Sequence, residues 1–166
     1  MTDRVTLADA PVAVKPSVWA RIRAFSRRDW LDLAEASWTL ASAHAALRWQ
    51  SPARVIARAI SPQTTRAAAF TPARLQQVTW LVGVAGRRVM PVPCLSRSVA
   101  LARVLARRGV ATSIRVGVRT IDGRLDAHAW VELDGRVIND DAAHVRQYAP
   151  FAEPLTGLAA IRSRIQ

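Results

Sequence analysis

CLSRSVALARVLARRGVATSIRVGV, residues 94–118, changes its period partway, and that change decides the fold class. From Cys94 to Arg108, Leu95, Val99, Ala102 and Leu105/Ala106 recur at helical spacing, while Arg97, Arg103, Arg107 and Arg108 fall largely elsewhere. Gly109 is a natural helix stop. Beyond it the period becomes two. Thr112, Ile114, Val116 and Val118 alternate with Ser113, Arg115, Gly117 and Arg119, as in a strand. Asp122-Gly123 marks a turn, AHAWVEL (127–133) a second strand, Asp134-Gly135 a hairpin turn and RVIND (136–140) a third strand.

Upstream the texture is helical. Asp29–Trp49 reads as a long helix with Trp30, Leu33, Ser37/Trp38, Ala41, Ala45 and Trp49 on one stripe, ended by Pro52. ARVIARAI (53–60) is a short second helix. Thr71-Pro72, a capping hydroxyl followed by proline, opens a third that runs to about Gly86. His44 on the long helix reads as a packing histidine. Helices followed by helix–strand–strand–strand imply an α+β domain with an antiparallel sheet. We expect a single domain over 1–166, with an N-terminal arm (1–25), a helical region (26–88), a helix-and-strand core (89–145) and a tail (146–166) ending in a short helix, LTGLAAIRSRI.

The 166 residues suffice for one core. A single cysteine excludes an internal disulfide. The first residues lack the apolar run of a signal peptide, and the longest low-charge stretch, 36–47, is too short to span a bilayer. A cytoplasmic location without stable membrane insertion is the expectation. The net charge of +12 comes almost wholly from arginine, since Lys15 is the only lysine. The arginines are scattered and no base-reading motif organises them, so nucleic acid is not the expected partner.

Cys94 follows Pro93 at a helix N-terminus. There the macrodipole and unpaired amide donors favour a thiolate, and the Cys94 amide could face a developing oxyanion. A thiol nucleophile needs a base. His128 sits mid-strand on the face it shares with Trp130 and Glu132, opposite the apolar set Ala127, Ala129, Val131 and Leu133. A base needs an orienter, and the hairpin register chooses between Asp140 and Asp141. A two-residue turn opposes Leu133 to Arg136 and lines His128 up with Asp141. A three-residue loop with Gly135 in a bulge opposes Glu132 to Arg136 and lines His128 up with Asp140. The second register offers a cross-strand ion pair, so it is preferred, and with it Asp140. Cys94, His128 and His144 show no metal-ligand spacing, and no metal is expected.

Cysteine on a helix start, then histidine and aspartate on neighbouring strands, is the papain and transglutaminase arrangement. CLSRSVALARVLARRGVATSIRVGV followed by AHAWVELDGRVIND resembles, more narrowly, the leader peptidases of lasso-peptide biosynthesis, transglutaminase-like cysteine proteases; the match covers about residues 92–141. The resemblance implies a helical N-terminal half followed by a transglutaminase/papain-like core, its catalytic helix packed on a small antiparallel sheet. It implies Cys94 as nucleophile, His128 as base and Asp140 as orienter, with no cofactor. The substrate would be a ribosomally made leader–core precursor peptide, and the freed core amine would pass to a macrolactam-forming cyclase. Some members carry a fused leader-recognition module with three strands. Residues 1–90 show helical periodicity instead, so the stand-alone form with a separate leader-recognition protein is expected. A second oxyanion donor would come from Gln76, Gln77 or Trp80. The alternatives are another transglutaminase-fold amide hydrolase or acyltransferase, or a non-catalytic peptide-binding scaffold.

Overall fold

The computed structural model describes residues 22–61 and 71–151. The four longer helices are α1 (Arg27–Trp49), α2 (Pro52–Ile60), α3 (Pro72–Val84) and α4 (Cys94–Ala106). They precede the hairpin of β1 (Ser113–Ile121) and β2 (Arg124–Leu133). Then come β3 (Arg136–Val137), a short helix α5 (Ala142–Val145) and β4 (Ala149–Pro150). The sheet is antiparallel with strand order β3-β2-β1-β4, so the architecture is α+β with a small sheet beside a helical layer. LTGLAAIRSRI and most of the N-terminal arm lie outside the described residues.

Local chemistry sets the helix starts. Ser26 Oγ accepts the Asp29 N–H while Asp29 Oδ2 accepts the Ser26 N–H, a capping box that opens α1. Thr71 caps α3 through the Arg74 N–H, with Pro72 at the first helical position. After Val84 the chain winds as a π-helical turn, Ala85–Val89, before the prolines that precede Cys94.

Helix α4 is the centre of the molecule. Ser96, Ser98–Ala102 and Val104–Ala106 are all buried, because α1, α2 and α3 cover one side and β2 the other. One cluster joins Leu40 and Ala43 of α1, Val55 and Ile56 of α2, Val99, Leu101 and Leu105 of α4, Ile114 of β1 and Val131 of β2.

The expected tryptophan stripe of α1 is not the buried face. Ala36, Thr39, Leu40 and Ala43 face the core, whereas Trp30, Trp38 and Trp49 are 53, 74 and 85 % exposed. Apolar residues lie all around this alanine-rich helix, so periodicity alone does not single out a side. Close approach to α4 selects the side with small residues, since an indole would not fit between the two backbones.

The β2–β3 register also differs from the preferred one. Leu133 pairs with Arg136 and Glu132 with Val137. Asp134 and Gly135 both have positive φ (49° and 75°), as a two-residue type I′ turn demands. That turn matches strand twist and outweighs the side-chain pairing that favoured a bulge. Glu132 instead accepts from Trp130 Nε1 at 2.9 Å and lies 3.8 Å from Arg115 Nε. The opposing face of β2 is not open either. Trp130 is 2 % exposed beneath Val145 and Tyr148, in a second apolar cluster.

Candidate active site

By ladder count, the two-residue register would set His128 against Asp141. The chain leaves the ladder first. The Ile138 N–H still donates to the Val131 carbonyl, at 3.0 Å. Next, the Asn139 side chain takes the place of a backbone acceptor, its Oδ1 receiving the Val131 N–H at 2.8 Å. So Asp140 lies on a bend beyond the strand, not within it. Its Oδ2 stands 2.6 Å from His128 Nε2, and its Oδ1 accepts the Asp141 N–H at 2.8 Å. Asp141 is committed elsewhere, capping α5 through the Ala143 N–H at 2.9 Å.

His128 is held on its other sides by rings. Tyr148, His144 and Trp130 have ring centroids 5.1, 5.2 and 6.3 Å from that of His128. Gly117, the β1 partner of His128, permits this closure. A Cβ there would lie 2.9 Å from Tyr148 Cβ and 3.0 Å from both the Ala149 carbonyl oxygen and the Trp130 ring. Tyr148 is further fixed by donating to Asp126 Oδ2 at 2.9 Å and by the Arg119 guanidinium 4.3 Å from its ring centre. Burial above all, then the bond to Asp126, pushes the Tyr148 phenol above its ordinary value, against the opposing pull of Arg119. Arg119 and the Tyr148 hydroxyl hold the Asp126 carboxyl below the usual carboxylate range.

Cys94 is the first residue of α4, partly exposed, with Pro93 as the capping residue and no side-chain cap on the helix amides. Ser98, one turn further along α4, donates to the carbonyl of Ala129, the neighbour of His128, at 3.0 Å. Asn139 Nδ2 donates to the same Ser98 Oγ at 3.4 Å. One hydroxyl thus ties the helix that begins at Cys94 to the strand that carries His128 and the bend that carries Asp140. His44 packs as expected, with Nδ1 3.1 Å from Ser96 Oγ. Ser98, Asn139 and Tyr148 are absent from the sequence reading; the signal on offer was that Tyr148 is the only tyrosine in the chain.

Of the oxyanion-donor candidates, Gln77 is engaged with Asp29 Oδ1 at 3.0 Å, while Gln76 and Trp80 line a cleft that also contains Asp140. The metal question resolves differently from the Cys94–His128–His144 set. Among the described residues, the ligand atoms that converge belong to His128, Asp140 and His144, all within 4.8 Å of one another. Some of the arginines are structural. Arg74 and Arg108 grip Asp32, Arg107 and Arg108 grip Glu35, and Arg119 grips Asp126. Among the described residues no helix is long and apolar enough to cross a membrane.

The arrangement offers an unpaired thiol at a helix N-terminus, a strand histidine bonded to a carboxylate on the bend beyond β3, and an aromatic wall. Comparison with curated proteins and with solved structures returns no match. A family profile described as Transglutaminase-like superfamily matches residues 36–153, well over half of the chain, including Cys94, His128 and Asp140. The chain belongs to the transglutaminase-like superfamily.

Proposed function

We propose that the protein is a cysteine peptidase that removes the leader from a lasso-peptide precursor, with Cys94, His128 and Asp140 as its triad. The observation that carries the reading is the 2.6 Å bond between His128 Nε2 and Asp140 Oδ2. With Nε2–H donating to the carboxylate, the lone pair of His128 is on Nδ1, and that nitrogen takes the Cys94 proton. The thiolate attacks the scissile carbonyl, and amide donors at the start of α4 meet the oxyanion. The C–N bond breaks as His128 returns the proton to the leaving core amine. Water then cleaves the leader thioester, giving up a proton to His128 and restoring the thiol. The residue match over 92–141 supports the choice of substrate. A separate leader-recognition protein delivers the precursor, and a cyclase receives the freed core.

Alkylation of the native protein by iodoacetamide across pH, read by intact mass, tests the nucleophile. Rapid labelling well below the usual thiol pKa of about 8.5, slowed in His128→Ala and in Asp140→Asn, is the expected result. Labelling that ignores both substitutions overturns the triad. Incubation with a precursor and its recognition protein then tests the substrate: release of the leader is expected, and an intact precursor beside a reactive thiol favours another amide substrate.

A further inference from the structure

A cleft of about 530 Å³ opens between α3 and the Ile138–Asp140 segment, and Arg97, one turn beyond Cys94 on α4, forms part of its wall. Its polar lining includes Thr79, Arg87, Arg97 and Asn139. That volume suits a side chain and its flanking backbone.

The charge inside the cleft is unbalanced. Arg74, Arg107, Arg108, Arg115 and Arg119 each have a carboxylate partner. Arg87 and Arg97, like most other arginines among the described residues, have none, but these two line the cleft; Arg97 donates to the Val92 carbonyl, at 3.3 Å. The one carboxylate in the lining, Asp140, is already occupied at both oxygens, by His128 and by the Asp141 N–H. The Thr79 hydroxyl is buried against the same cleft without a hydrogen-bond partner.

Both arginine side chains also have space made for them, Arg87 at its guanidinium and Arg97 along its aliphatic stem. A Cβ on Gly83 would stand 2.7 Å from Arg87 Nη2, and one on Gly86 would stand 2.7 Å from Arg97 Cδ. Glycines one turn apart let both arginine side chains lie against the helix backbone beside the cleft.

We propose that this cleft is a substrate subsite for an acidic side chain of the bound peptide, with Arg87 and Arg97 as its carboxylate clamp. The inference rests on the peptidase reading for the identity of the ligand as a peptide. Planar guanidinium forks match a carboxylate in two-point geometry, and the neighbouring Asp140 places the subsite next to the reacting groups.

Binding to the Cys94→Ala protein tests the subsite without requiring cleavage. The probes are acetylated, amidated alanine-based heptapeptides with one central Glu, Gln or Lys, and an uncharged heptapeptide ending in a carboxylate, titrated by calorimetry at low salt. The Glu peptide is expected to bind about tenfold more tightly than the Gln peptide, the size of one charge-assisted contact. The Lys peptide should bind most weakly. The Glu preference should fall to about twofold or less in Arg87→Gln, which alters an exposed side chain, and in Gly83→Ala, which displaces Arg87 without changing charge. Equal binding of Glu and Gln peptides, a preference that survives both substitutions, or no binding by any probe overturns the proposal. Tightest binding of the free-acid peptide overturns it in favour of a chain terminus. Failure of the peptidase reading shows separately, as iodoacetamide labelling of Cys94 that is indifferent to His128.

Discussion

Replacing Asn139 with alanine removes an acceptor and a donor at the point where β2, α4 and the Asp140 bend meet. Its Oδ1 holds the Val131 N–H at 2.8 Å, and Val131 is 0 % exposed. Stranding a buried N–H costs about 1–3 kcal/mol. The bond from Asn139 Nδ2 to Ser98 Oγ is long at 3.4 Å and adds little. Ser98 keeps its own bond to the Ala129 carbonyl, so α4 stays attached to β2. The expected loss is about 2 kcal/mol, which for a chain of this length lowers Tm by about 4–8 °C. Thermal unfolding followed by circular dichroism measures it. Asn139→Asp keeps an acceptor for Val131 and should recover most of the loss. The alanine variant should also slow alkylation of Cys94, because the bend that sets Asp140 against His128 loses its anchor. An unchanged Tm would mean that the Val131 N–H finds another partner, and would refute the claim that Asn139 holds the bend.

Two further perturbations test other joints of the site. Gly117→Ala places a methyl within 3.0 Å of Tyr148, Ala149 and Trp130, so β4 must move off β1. A loss of about 1–3 kcal/mol in chemical denaturation, the usual range for overpacking, is expected together with faster exchange of the Phe151 amide, which donates to the Val116 carbonyl of β1; a variant as stable as wild type would show that the aromatic wall is not tightly closed. The folded-state carboxyl of Asp126 is depressed by Arg119 and Tyr148, so its stabilising contribution is present above the unfolded carboxylate pKa of about 3.9 and is lost as pH falls through the lower folded value. The Tm difference between wild type and Asp126→Asn should therefore be steady at neutral pH and shrink below about pH 4; a difference that grows on acidification contradicts the assignment.

The α+β order, the helix that starts at Cys94 and both Asp-Gly turns were legible along the chain. Each is written in short-range features, such as a change of period, a cap or a turn dipeptide. The route to Asp140 was not. Pairing preferences favoured a bulged register, whereas the positive φ of Asp134 and Gly135 builds a two-residue turn. Asp140 nonetheless meets His128, because Asn139 substitutes its side chain for the ladder and turns the chain early. No local pattern announces such a substitution.

The buried side of α1 was equally out of reach. Apolar residues surround that helix, and only the fit against α4 decides that Ala36, Leu40 and Ala43 go inward while the tryptophans face out. The aromatic wall over His128 also depends on Tyr148, twenty positions along, which reaches the site only because β4 returns to pair with β1 opposite Gly117. By itself, then, the sequence determined the longer helices, the β1–β2 hairpin, their order and the residue types available for thiol chemistry, since these follow from local propensity and periodicity; it did not show α5, β4 or the π-helical turn, and β3 is shorter than the 136–140 strand it suggested. Tertiary structure alone decided which faces close, which register holds and which arginines remain without a carboxylate, because those outcomes depend on volumes and partners distant along the chain.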